Sequence, residues 1–194
     1  MLTRFLKSET RRRLLKEYFS DVSRYLFDPA FAGEVRQRLY QLLVPALREN
    51  QRILLMAHSL GSVVAYDSLW ELSNGSRFEA LWDRSVDLFV TLGSPLGDET
   101  VRENLLGGKN PPATRYPSNI RRWVNLSASG DTICYNAHLA NDFRPMRRLK
   151  LLESIQEQTN LCNVYRGRDG NWNPHKLYGY LLLPEVGRLV ADFL

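Results

Sequence analysis

The chain changes pattern at about residue 50, and that change restricts the fold more than any other feature. Beyond it, short unbroken apolar runs alternate with stretches of helical period. The runs are Arg52–Ala57 (RILLMA), Val86–Leu92 (VDLFVTL), Arg122–Ser127 (RWVNLS) and the shorter Cys162–Tyr165 (CNVY). A strand that is apolar at nearly every position is covered on both faces, the habit of parallel sheets packed between helices. The expected class is therefore α/β, a mostly parallel sheet flanked by helices.

Before residue 50 the period is helical. Leu14, Leu15, Tyr18, Phe19, Val22, Tyr25 and Leu26 share one helix face, and Asp28-Pro29 should end that helix. Val35, Leu39, Leu42, Leu43, Ala46 and Leu47 mark a second helix, in which Pro45 predicts a kink or an early end. A closing helix is expected from Leu177 to Phe193, interrupted at Pro184. Residues 98–120 and part of 132–160 read as irregular loops. The 194 residues suit one domain, with a helical segment over 1–49 and the sheet-bearing part over 50–194.

Charge and cysteine content exclude several function classes. Residues 1–50 hold 10 Lys and Arg against 6 Asp and Glu, while the rest holds 16 against 15. The basic excess thus sits near Arg11, Arg12, Arg13 and Lys16, where it could touch an anionic membrane surface weakly. A solvated helix face is the plainer reading, and no nucleic-acid motif accompanies the charge. Cys134 and Cys162 make no disulfide framework, and with three histidines they show no metal-ligand spacing. No metal or cofactor is expected. No run is long enough to span a bilayer and the opening residues lack a signal-peptide core, so the expected location is cytoplasmic.

Ala57-His58-Ser59-Leu60-Gly61 stands between an apolar run and a helical stretch. A tight strand-to-helix turn there would lift Ser59 clear of the sheet and needs small residues two before and two after it, which Ala57 and Gly61 supply. Ser59 would also sit at a helix N-terminus, where free N–H groups favour an oxyanion. The alternative is a buried serine in an ordinary strand–helix turn.

LLMAHSLGSVVAYDSL resembles the nucleophile elbow of the α/β-hydrolase superfamily, in its lipase- and esterase-like branch. VDLFVTLGSPLG resembles the next strand of such enzymes, and RRWVNLSASGDTI the one after it. The resemblance covers about residues 51–193. It implies the chain order Ser, acid, His, and thus Ser59 as nucleophile, Asp131 as orienting acid and His175 as base. Asp98 is the second choice of acid, and Asp142 and Asp169 read as solvated. His138 precedes the last run, and His58 should point away from Ser59 and be structural. The Leu60 N–H is the expected oxyanion donor.

The family usually carries several strands before the nucleophile strand, one of them followed by the loop with the second oxyanion donor. Residues 1–49 read as helix instead, so the N-terminal half of the fold is expected to be reduced. A fragment, a natural reduction and a replaced donor are alternatives. The exposed edge would then pair with a second copy, as a homodimer, or with an upstream partner segment. The expected function is hydrolysis of a carboxylic ester, small or lipid-like, through an acyl-enzyme. The alternative is a non-catalytic, regulatory module that binds a partner or an acyl ligand.

Overall fold

The computed structural model describes residues 20–134 and 138–194. Leu14, Leu15, Tyr18 and Phe19, and the basic group Arg11–Arg13 with Lys16, lie outside the described residues. A helical segment over 20–27 precedes α1 (Pro29–Arg48). Then follow β1 (Leu54–His58), α2 (Leu60–Asn74), β2 (Val86–Leu92), α3 (Glu99–Asn104) and β3 (Ile120–Ala128). The chain continues through α4 (Leu139–Asp142), α5 (Arg144–Arg148), β4 (Ser154–Leu161), α6 (Leu177–Leu181) and α7 (Pro184–Phe193).

The fold is α/β. Its four strands lie in the order β1-β2-β3-β4, and every neighbouring pair is parallel. Strand side chains alternate between two cores. Leu55, Ala57, Phe89, Trp123 and Ile155 face the layer that holds α1, α2, α4 and α5. Leu54, Met56, Leu88, Val90, Leu92, Val124 and Leu126 face α6 and α7, meeting Tyr180, Val186 and Phe193. Both faces are covered, which is why β2 and β3 read as continuous apolar runs. The polar members of those runs pair with one another: Thr91 Oγ1 donates to Asn125 Oδ1 at 2.8 Å and accepts from Trp123 Nε1 at 3.0 Å.

Asp28 ends the first helical segment as expected and caps the next, its Oδ1 accepting the Phe31 N–H at 3.0 Å. Several expectations are corrected. Pro45 does not end α1, which runs on to Arg48 because buried Leu43 and Leu47 anchor the turns on either side. The fourth strand is Ser154–Leu161 rather than Cys162–Tyr165. Its SIQEQTNL sequence is polar because the strand lies at one side of the sheet, and polar edges discourage stray pairing. Within 98–120, α3 is helical and capped by Asp98, whose Oδ1 accepts the Val101 N–H at 3.1 Å. Pro184 splits the closing helix into α6 and α7. Among the described residues, no helix is long and apolar enough to cross a membrane.

Candidate active site

Parallel strands deliver the residues that follow them to one end of the sheet. Ser59 follows β1, Gly93-Ser94 follow β2, Asp131 follows β3, and the loop carrying His175 follows β4. The structure brings Ser59, His175 and Asp131 together there.

Ser59 has φ 56° and ψ −131°, a conformation that a residue with a Cβ rarely adopts. The turn is over-determined by its surroundings. Ser59 N–H still donates to Leu92 O at 3.0 Å, while its carbonyl accepts from Ser62 N–H at 2.9 Å and from Ser62 Oγ at 2.6 Å. Ser62 Oγ in turn meets Ser94 Oγ at 2.7 Å, and Ser94 Oγ accepts the Leu96 N–H at 3.2 Å. The strained turn is thereby tied to the Gly-Ser-Pro turn after β2. Leu60 opens α2, and its N–H belongs to the first helical turn, whose donors have no intrahelical acceptor. Gly61 departs from expectation: a Cβ there would meet nothing within 4 Å, so crowding does not demand glycine at that position.

His175 Nε2 lies 2.8 Å from Ser59 Oγ. Its Nδ1 lies 3.0 and 2.9 Å from Asp131 Oδ1 and Oδ2. An ionised carboxylate only accepts, so Nδ1 carries the proton and Nε2 is free to accept from the Ser59 hydroxyl. The Asp131 side chain is fully buried. Burial pushes its pKa up, but hydrogen bonding and charge from His175, the Tyr180 hydroxyl and the Ile133 N–H outweigh it. The carboxyl ends below its ordinary value and stays ionised. Tyr180 donates to Asp131 Oδ2 at 2.7 Å and accepts the Ala128 N–H at 2.9 Å. Gly93, at φ 54°, is required: a Cβ there would stand 2.8 Å from Asp131 Oδ2.

Four further residues hold this arrangement, of which the sequence marked His58 alone as structural. The Asn163 amide, buried, donates to Pro174 O at 2.8 Å and Lys176 O at 3.1 Å, clasping the backbone on both sides of His175. Gly179 leaves room for that amide, since a Cβ would overlap Asn163 Oδ1. His58 does not contact Ser59, yet it is not remote from the site. Its Nε2 lies 2.7 Å from the His175 carbonyl oxygen, and its ring centroid is 4.7 Å from that of His175. Burial, followed by the neighbouring His175, lowers its pKa to about 4, so the ring is neutral and donates. Tyr180, the fourth, was hidden by its place in a helical pattern.

The other candidates lie elsewhere. Asp98 caps α3. Asp142 is paired with Arg102 at 2.9 Å rather than solvated, and Asp169 binds Asn171 within its own exposed loop. His138 is exposed and precedes α4. Among the described residues, no group of three or more His, Cys, Asp or Glu side chains is placed to hold a metal ion. Comparison with family models, with curated proteins and with solved structures finds no match for this chain.

Proposed function

We propose that the chain is a serine hydrolase of α/β-hydrolase type that cleaves a carboxylic ester through an acyl-enzyme. The observation that carries this reading is the continuous hydrogen-bonded series Ser59–His175–Asp131, built on a strained turn at a helix N-terminus. His175 Nε2 takes the Ser59 proton as Oγ bonds to the ester carbonyl carbon, and Asp131 stabilises the imidazolium. The oxyanion is drawn to the Leu60 N–H. Collapse of the intermediate breaks the bond to the alkoxide, which leaves as the alcohol with the proton from His175. Water, deprotonated by the same nitrogen, then releases the acid and regenerates the serine.

A second reading is supported by one observation. β1 is the first strand among the described residues, and it lies at the side of the sheet. In the family that the chain resembles, the second oxyanion donor comes from a loop after an earlier strand, and loss of one donor costs ~10²–10³ in rate. A module that binds an acyl ligand without turnover would retain the same triad. A fluorophosphonate probe separates the two. Covalent labelling at Ser59, absent in Ser59→Ala, is expected of the hydrolase; an unlabelled wild-type protein would leave the binding module.

A further inference from the structure

A cavity of about 260 Å³ opens between α3, the segment 105–116 and the junction of α4 with α5. None of the described residues that line it belongs to the Ser59–His175–Asp131 series. Its most deeply placed polar side chain is Tyr66 of α2, 1% exposed, whose ring packs on Phe143 and Trp123 at centroid distances of 5.4 and 5.9 Å. Among the described residues the Tyr66 hydroxyl makes no hydrogen bond, yet it is not sealed in the core as the polar atoms of Ser68 and Asn119 are. It therefore opens into the cavity, near Tyr116 and Arg115. Burial raises its pKa, and Asp67 adds to this, so the hydroxyl keeps its proton and is a donor.

Charge divides the rest of the lining. Arg102 and Asp142 neutralise one another at 2.9 Å and tie α3 to the end of α4. Glu99 and Glu103, one helical turn apart on α3, and Arg115, shortly before β3, are exposed at the mouth. Among the described residues none of these three forms an ion pair. A simple anion would be repelled by the two carboxylates, and a simple cation by the guanidinium. A ligand that carries both charges is attracted by both. We propose that this cavity binds a free α-amino acid with an apolar side chain, its carboxylate on the Tyr66 hydroxyl and Arg115 and its ammonium on Glu99 and Glu103. Leu105, Phe143 and the Tyr116 ring supply apolar surface for the side chain. The volume is below that of pockets for drug-sized ligands, ~300–1,000 Å³, which suits a ligand this small. The inference goes beyond the hydrolase reading and does not depend on it.

The test is isothermal titration calorimetry of the full chain with L-leucine and L-phenylalanine, and with two analogues that keep one charge each, phenethylamine and 3-phenylpropionate. At least one of the amino acids should bind with a Kd on the order of 1 mM, and each analogue should bind at least about tenfold more weakly. Arg115→Ala and Glu103→Gln alter exposed side chains, and Tyr66→Phe removes the hydroxyl while keeping the packed ring, so none of the three threatens folding. Each should weaken amino-acid binding by about tenfold, the worth of one hydrogen bond or ion pair to a charged ligand group. Absence of binding by both amino acids up to about 20 mM would overturn the proposal. So would an analogue that binds as tightly as L-phenylalanine. Affinity unchanged in both Arg115→Ala and Tyr66→Phe would place the ligand elsewhere and overturn it too. Fluorophosphonate labelling of Ser59 reports on the hydrolase reading separately, and neither result bears on the other.

Discussion

His175 is fixed through its backbone as firmly as through its ring. The carbonyls of Pro174, His175 and Lys176 accept from Asn163, His58 and Asn163 respectively, and the imidazole spans Asp131 and Ser59. A base on a loop loses effectiveness steeply when it drifts, with a misplacement near 1 Å costing on the order of 10²-fold. Asn163→Ala should therefore lower kcat by about that much, leave KM nearly unchanged and preserve the shape of the pH profile. Steady-state kinetics across pH would check it, and a kcat equal to wild type would show that the loop needs no clasp. Ser59 was readable because a tight strand-to-helix turn leaves a local pattern around it. Asn163 was not, and His58 was read as structural without its partner, because these contacts span 11 to 117 residues and no local pattern encodes them.

The helical segment 20–27 and α1 are docked on α2 by a buried polar group. Tyr25 donates to Asp67 Oδ2 at 3.0 Å and the Leu106 N–H to Oδ1 at 2.8 Å, while Arg36 and Tyr40 both reach Glu71. Burial raises the Asp67 pKa to about 7, against the lowering effect of the Leu106 N–H, Tyr25 and Arg36. The folded state thus holds a proton that the unfolded chain releases near pH 4. Stability from this group is full below that pH and falls as pH rises through about 7. Over about three pH units the loss is on the order of 4 kcal/mol. Asp67→Asn keeps an acceptor for Leu106 and removes the ionisation, while the opposite pH dependence contributed by His58 is common to both proteins, so the stability of the variant relative to the wild type should rise from pH 5 to 8. Urea unfolding at both pH values checks this, and a parallel pH dependence in the variant would contradict it. Elements were legible where packing and pattern agree, as in β2 and β3. They were misread where they part: β4 is polar at the sheet's side, and α1 keeps its helix past Pro45 through tertiary contacts alone.

Across the molecule, the two sides of the sheet differ. β4 ends it with Gln156, Glu157, Gln158 and Thr159, whereas β1 ends it with Leu54, Leu55 and Met56, all partly exposed. Among the described residues nothing pairs with the free side of β1. A short apolar edge with unpaired N–H and C=O groups is a template for another strand. The chain should accordingly self-associate with rising concentration in light scattering, and Leu55→Lys should shift it towards monomer; a wild-type protein monomeric throughout would contradict that expectation. The α/β architecture followed from the alternation of apolar runs and helical stretches, and an exposed side of β1 was expected with it; the openness around Gly61 was not, because sequence shows which groups are present and not which neighbours fail to cover them. The central claim, that Ser59 is acylated through His175, is tested most directly by rapid mixing with p-nitrophenyl butyrate followed by acid quench and mass analysis. A burst of about one nitrophenolate per protein, with one butyryl group on Ser59, is the predicted result. Steady release with no burst and no acylated Ser59, at any substrate concentration, would contradict it.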